Sequence, residues 1–402
     1  MSDEQGDNDK KTGAVDLDGF VRKALDGSQH KANAKFDFKG FYDYMGDMTQ
    51  MMLSRDELNW IQTQPEPDHQ VPVFVNMSCG TQFAPHLSLE TVNIFRALGV
   101  DIVAGLGRQF CCGKIYRVND QGGAGERMSQ ASLDHFREWG ASTAVHHCPS
   151  CQIVFSDYAA KHPDAAPGLT NKHFSTFLEE RLLELGDKVP WKKSVNARVL
   201  IEAYGFDTIT PVHAEVANTA ARIVAMVPGA EYIGMLEMPS QGAACLTLPS
   251  GLQLTTTLSP SEVSVMQDEL RAQLHARGAN VISPVDKFCQ REWSKLSDDD
   301  LPVRHYLSIV AEALGCAEPD RFQKFWRMHD TSAVVEAARP YWSSWGMAQK
   351  TAEWLAVRQF DSGHTGVEPK CGCGGDSTKC TTGKFTLARG EDIIQIDQSP
   401  RT

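Results

Sequence analysis

The pattern of apolar and polar positions changes character several times along the chain. Residues 71–78 form a short apolar run suited to a buried strand, and residues 87–98 carry apolar positions at helical spacing. Residues 101–106 predict a second strand, 126–139 a helix and 142–147 a third strand. Strands alternating with helices in this order predict an α/β fold with parallel, doubly wound sheet.

A second copy of the plan follows. Residues 73–79 are matched by 199–205, and the helix ending at Gly99 by one ending at Gly229. Phe110, Cys111, Cys112 and Gly113 fall opposite Pro239, Ser240, Gln241 and Gly242, while residues 147–151 fall opposite 282–286. An alternative register sets Cys289 and Gln290 opposite Cys151 and Gln152. The expected fold is two pseudo-repeated Rossmann-like halves with parallel sheets, plus helical N- and C-terminal extensions.

The flanks have a different texture. Residues 1–35 are charged and rich in Gly, Asn and Asp, which predicts a disordered N-terminal segment. Residues 36–70 form a helical extension whose stripe of Phe36, Phe38, Phe41, Tyr42, Tyr44, Met48, Met51 and Met52 suits a core or subunit contact. The first half then spans 71–190, the second 191–298, and a helical region 299–361. In that last region 301–314 and 333–357 are amphipathic, and Trp326, Trp342, Trp345 and Trp354 supply bulk. The tail, 362–402, is Gly-rich and carries Cys371, Cys373 and Cys380, close to His364.

Composition narrows the function. Lys and Arg number 39 against 51 Asp and Glu, a formal charge of −12. That acidic balance disfavours nucleic acids and anionic membranes as partners. No run approaches the ~18 apolar residues of a membrane span. Residues 1–11 hold no apolar stretch resembling a signal peptide. A soluble, cytoplasmic protein without membrane insertion is expected.

Eleven cysteines in such a chain call for a chemical reason. In a reducing compartment, clustered cysteines bind metal or do redox work. Cys79, Cys111, Cys112, Cys148 and Cys151 all follow the carboxyl ends of predicted strands, where parallel sheets bind ligands. Gly80 and Gly113 let the backbone approach a bulky group, and Pro149 stiffens the last loop. Five thiols exceed the four ligands of a usual zinc site. A cluster of several irons offers separated ligand points to cysteine thiolates.

This five-cysteine string with its Cys-Cys-Gly triplet resembles the cysteine-rich CCG domain of the disulfide-cleaving subunit of heterodisulfide reductase. Related domains occur in iron–sulfur subunits of glycolate and anaerobic glycerol-3-phosphate dehydrogenases and in lactate-utilisation proteins. The resemblance covers roughly residues 71–290. It implies one noncubane 4Fe-4S cluster on Cys79, Cys111, Cys112, Cys148 and Cys151, with zinc as the alternative metal, and an oxidoreductase acting on sulfur groups. Such a subunit works in a complex with ferredoxin-like and flavin-bearing partners and a sulfur substrate or sulfur-carrier protein. The competing expectations are an electron-transfer subunit of a 2-hydroxy-acid dehydrogenase complex, or a zinc-holding protein without turnover. In the methanogen-type reductases this subunit repeats the five cysteines in its second half. Here Gly205, Ser240, Gln241, Ser283 and Asp286 occupy the matching places, so that half is expected to be cluster-free.

Other residues near the motif are candidates. His146 and His147 are either proton donors to a departing thiolate or strand-end histidines hydrogen-bonded to backbone. Lys114 and Arg108 flank the triplet and either tune the site or are surface charge. The glycine-rich residues 121–125 suggest a flexible lid or loop over the cluster. Cys245 is placed to line the second hollow, Cys316 to fill core, and the tail cysteines to bind zinc or a labile cluster. The aromatic stripe and the tryptophan-rich helices are candidate docking surfaces.

Overall fold

The computed structural model describes residues 38–62, 69–117, 119, 121–203, 211–240 and 258–360, with two short strands further on. The expectations for residues 1–35, Gly205, Gln241, Cys245 and the tail cysteines lie outside the described residues.

Two N-terminal helices, α1 (Phe38–Gln50) and α2 (Arg55–Gln62), precede the first half. That half runs β1 (Val73–Asn76), α3 (His86–Ala97), β2 (Ile102–Gly105), α4 (Lys114–Arg117), α5 (Gly122–Glu138), β3 (Thr143–His146), α6 (Pro149–Lys161), β4 (Thr170–His173) and α7 (Phe174–Leu185). The second half runs β5 (Ala197–Glu202), α8 (Pro211–Met226), β6 (Ala230–Met235), α9 (Pro260–Arg277), β7 (Val281–Pro284) and α10 (Lys287–Ser294). Helices α11 (Tyr306–Leu314), α12 (Arg321–Trp326), α13 (Thr331–Trp342) and α14 (Gln349–Phe360) follow, then an antiparallel pair, β8 (Thr386–Arg389) and β9 (Asp392–Gln395).

Each half carries its own parallel sheet, ordered β2-β1-β3-β4 in the first and β6-β5-β7 in the second. The central strands are apolar because both faces are covered: Val73, Phe74 and Val75 in β1, and Val199, Leu200 and Ile201 in β5, are buried. One core joins the halves. Phe95 of α3, Leu178 of α7, Ile223 of α8 and Val310 of α11 belong to the same cluster, with α11 packed on α3 and α8. The strand carboxyl ends of the two halves thereby approach each other.

The Met and aromatic stripe of residues 36–63 is largely interior where it is described, with Phe38 and Tyr42 half-buried. Tyr44, Met45, Met48, Met51 and Met52 are buried against Phe322 and Phe325 of α12, Val334 of α13 and Phe360 of α14. Trp326, Trp342 and Trp345 donate their indole N–H groups to Lys295, Val335 and Leu53 carbonyls. Both features are thus engaged in packing within the chain, and Trp354 is the exposed one of these four tryptophans. The single helical pattern over 333–357 is interrupted: α13 ends at Trp342 and Gly346, at φ +73°, turns the chain before α14. No helix among the described residues is long and apolar enough to cross a membrane.

Candidate metal centre

Cys79 opens a 3-10 turn, Cys79–Phe83, just beyond β1. Ser78 before it sits at φ +61°, a conformation that costs a serine of order 1–3 kcal/mol. The neighbours enforce it: the Ser78 N–H donates to Asn76 Oδ1 at 3.1 Å, and Thr81 Oγ1 donates to the Met77 carbonyl at 3.0 Å. A Cβ on Gly80 would stand 2.5 Å from Lys287 Cε, so glycine there admits a side chain from the other half.

Cys111 and Cys112 follow β2 through a short 3-10 turn, Arg108–Phe110. Their loop is buttressed by a stripe of small residues on α5. Ser129 Oγ donates to the Cys112 carbonyl at 2.7 Å and Ser132 Oγ to the Cys111 carbonyl at 2.9 Å. Gly113, at φ +79°, lies so close to α5 that a Cβ would meet the Gly125 carbonyl oxygen at 2.1 Å. The glycine-rich residues 122–125 are therefore the first turn of α5 and not a lid. The smallness of Gly125 serves the close approach of helix to cysteine loop.

Cys148 is the N-cap of α6, Pro149 its first residue, and Cys151 lies in its first turn. A helix N-terminus favours thiolate there. The three segments bring the five thiols together. Cys111 hydrogen-bonds Cys112, Cys112 hydrogen-bonds Cys151, Cys151 hydrogen-bonds Cys148, and Cys79 feels the charges of Cys148 and Cys112. All five are free cysteines, and Cys112 and Cys151 are buried. Their acidities split. The thiols of Cys111 and Cys151 hold Cys112 well below the ordinary value. The Cys151 hydrogen bond brings Cys148 down to about 6 despite burial, with help from Lys287. Burial and the neighbouring thiolates push Cys79 up to about 12. Cys111 and Cys151 are raised chiefly because each donates its proton to Cys112.

Further donors point at the sulfurs. Tyr42 of α1 donates its hydroxyl to Cys111 Sγ at 2.9 Å, and the Gly113 N–H reaches the same sulfur at 3.3 Å. The Lys114 backbone N–H donates to Cys112, and Arg117 places its charge nearby while donating to the Cys112 carbonyl at 3.1 Å. Lys114 thus acts here through its backbone, and Arg108 lies 6.0 Å from the Tyr42 ring centroid. Tyr42 and Arg117 had no motif to flag them as site residues; only the folded helices bring them to the cysteines.

The second half meets the site through α10. Lys287 is buried, its Nζ 2.9 Å from Asp286 Oδ2, and its charge acts on Cys79, Cys148 and Cys151. Burial alone would lower this ammonium's pKa; Asp286 and the thiolates outweigh that and raise it. Strand register fixes the equivalence of the halves: His146 pairs with Asn76 as Pro284 pairs with Glu202. Asp286 then caps α10 as Cys148 caps α6, and Cys289 stands where Cys151 stands. The structure follows the alternative register, so the pairing of Cys148 with Ser283 and of Cys151 with Asp286 is corrected by three positions. Glu202 is fully buried at the end of β5, and among the described residues no N–H or O–H donor reaches either oxygen. Burial, reinforced by Asp286, pushes its carboxyl up to about 8, while the Cys289 thiol lowers it in part.

His146 and His147 are buried and face partners other than the thiols. His146 Nε2 lies 2.8 Å from Asn171 Oδ1, and His147 Nε2 lies 3.0 Å from Thr91 Oγ1. Burial brings them down to about 4 and about 3, so neither is an imidazolium near neutrality. Cys316 follows α11, half-buried against the shared core.

The chemistry of the donor set fits a thiolate-held metal. Two thiols already favour the anion, and binding would displace protons from the other three. Among the described residues no three His, Cys, Asp or Glu side chains close on a point suited to a single ion.

What fold and site define together is an α/β protein with a cysteine-lined centre at the strand ends of its first sheet. Residues 73–156 match the family model described as a cysteine-rich domain, CCG. The match supports the CCG family and a metal-binding or iron–sulfur role for this segment. No curated protein matches the chain. Among solved structures it is similar to a "putative Asp/Glu racemase" from Yersinia pestis, at 13% identity over 61% of this chain and 98% of that one. The TM-score is 0.29, and a likeness that slight carries no argument.

Proposed function

We propose that the chain is the iron–sulfur subunit of a heterodisulfide-reductase-like complex and holds one noncubane 4Fe-4S cluster. The observation that supports this reading is the joining of five thiols, from three strand ends of one sheet, into a single hydrogen-bonded and charge-coupled set. Cys79, Cys111, Cys112, Cys148 and Cys151 would hold the cluster. When bound, it supplies electrons to a sulfur substrate in a thiol–disulfide reaction. Around it, the Tyr42 hydroxyl and the Gly113 and Lys114 amides stabilise charge on the cysteine sulfurs, as hydrogen bonds to ligand sulfur do. The α5 stripe keeps the adjacent pair in place.

Disulfide cleavage takes two electrons and two protons, RSSR + 2e⁻ + 2H⁺ → 2RSH. A second redox centre must therefore stand nearby, on a ferredoxin-like or flavin-bearing partner; the sulfur substrate is a small disulfide or, in the reverse, oxidative direction, a carrier-bound thiol that gives up the electrons. Work in the cytoplasm fits thiols kept reduced. The test is anaerobic purification followed by iron, sulfide and paramagnetic analysis, then a disulfide-reduction assay with and without the partner subunits. About four irons with matching sulfide per chain are expected, with turnover only in the assembly. One zinc and no iron would overturn the cluster; sustained turnover by the isolated chain would overturn the need for partners.

A further inference from the structure

We propose that the second half acts on the thiol centre through a buried ion pair: Lys287 is a positioning residue whose fixed charge favours the electron-rich state of the cysteine set, and Asp286 limits that effect. The inference deepens the iron–sulfur reading and, for its cluster readout, rests on it. Geometry supports it in three ways. The Lys287 side chain is only 1% exposed and its ammonium is held 2.9 Å from Asp286. Its methylene stem fills the space left by the missing Cβ of Gly80, directly after Cys79. Asp286 and Lys287 occupy the cap and first position of α10, the places that Cys148 and Pro149 take in α6.

The other charges of α10 are differently engaged. Arg291 and Lys295 both pair with Glu292, at 2.7 and 2.8 Å. Arg291 also stands 4.5 Å from the Phe83 ring centroid. Lys287 is the α10 cation whose charge reaches three of the five thiols. A buried charge in low dielectric acts strongly on its neighbours, since little solvent screens it. Adding an electron to a thiolate-rich centre increases negative charge, so a fixed cation beside it eases reduction.

The test compares Lys287→Met with Asp286→Asn, because the two must move the site in opposite directions. Asparagine still caps a helix, so the second variant keeps the α10 N-terminus. In the cluster-loaded protein, potentiometric titration should show Lys287→Met shifting the reduced-to-oxidised ratio about tenfold toward oxidised, ~59 mV for a one-electron couple. Asp286→Asn should shift it toward reduced, by a smaller factor. In the metal-free protein, iodoacetamide alkylation of Cys148 at pH 5, below the point where this thiol is mostly ionised, should slow several-fold in Lys287→Met and quicken in Asp286→Asn, since the thiolate is the reacting form. The alkylation readout does not need a cluster, so it separates failure of this inference from failure of the iron–sulfur reading. Circular dichroism establishes that each variant folds, and Asp286→Asn alone decides the sign if Lys287→Met does not. Shifts in the same direction for both variants, or no shift in Asp286→Asn, would overturn the proposal.

Discussion

The two halves share a frame and differ in what stands at its end. In each, a central strand pairs with one neighbour that leads to a capped helix, β1 with β3 and α6, β5 with β7 and α10. The first half places Asn76, Cys148 and Cys151 at three equivalent positions; the second places Glu202, Asp286 and Cys289. Backbone geometry is thus kept by strand register and caps, while the chemistry rests on a handful of side chains. The first half ends in a thiol set suited to metal, the second in a buried carboxyl and an ion pair whose lysine acts on those thiols.

The sharpest way to break this comparison is to make the same change at the same place in both halves. Cys151→Ser removes a thiol hydrogen-bonded to Cys112 and Cys148, and hydroxyl is a poor donor to iron. Iron in anaerobically reconstituted protein should fall from about four per chain to near zero. Cys289→Ser keeps a donor toward Glu202 and lies outside the thiol set, so iron should stay at the wild-type level. Equal loss in both would mean that the second half binds metal too.

A second pair probes the backbone. Gly113→Ala combines φ +79° with a Cβ 2.1 Å from a main-chain oxygen, so either the cysteine loop or α5 must shift. Urea unfolding of the metal-free protein should show a loss of about 3 kcal/mol or more. Gly278, the left-handed cap of α9, would meet only the flexible Arg198 guanidinium at 3.1 Å. Gly278→Ala should cost about 1 kcal/mol. Similar losses at the two glycines would show that the first-half loop is less tightly held than its contacts imply.

Much of this frame was legible in the sequence, and the reasons for the misses are physical. Strands 71–78, 101–106 and 142–147 were visible because parallel strands buried on both faces read as continuous apolar runs. The cysteine positions at strand ends followed from them. The start of α5 was hidden, since glycines at positions 122, 123 and 125 look like loop by propensity; the close contact of Gly125 with Gly113 accounts for the last of them. The register of the second half was blurred because residue matching favoured Ser283 and Asp286, whereas capping and strand pairing decide the equivalence. Tyr42 and Lys287 carried no local signal, because both reach the thiols from elements distant in sequence.

The pH dependence of stability isolates the second half. The Glu202 carboxyl is raised from 4.5 to about 8 in the folded chain. Between those values the folded chain holds a proton that the unfolded chain releases, so stability falls as pH rises from about 4.5 to about 8 and then levels. Glu202→Gln removes this contribution. The variant should gain on wild type across that window, on the order of a few kcal/mol by pH 8, in urea titrations at fixed temperature. Parallel pH profiles would show that Glu202 is ionised within the fold.

The smallest effect separates a buried serine of the first half from an exposed serine of the second. Ser129 is fully buried, donates to the Cys112 carbonyl at 2.7 Å and accepts from Arg117 at 3.0 Å. Alanine there removes the hydroxyl but does not orphan the carbonyl, because Arg117 Nη1 still donates to it at 3.1 Å. The loss is therefore that of two hydrogen bonds, one of them from a half-buried guanidinium that water can reach, about 1–2 kcal/mol in all. Ser240, which follows β6 in the second half, donates to Glu269 at 2.7 Å on the exposed surface. Water replaces that partner, so Ser240→Ala should change stability by less than ~0.5 kcal/mol. Iron retention under a chelator adds a second measure: Ser129→Ala should release metal faster than wild type, because the Cys111–Cys112 loop has lost one of its ties to α5, and Ser240→Ala should not. If Ser240→Ala proved the costlier change, rigidity would lie in the cysteine-poor half, and the contrast drawn between the halves would fail.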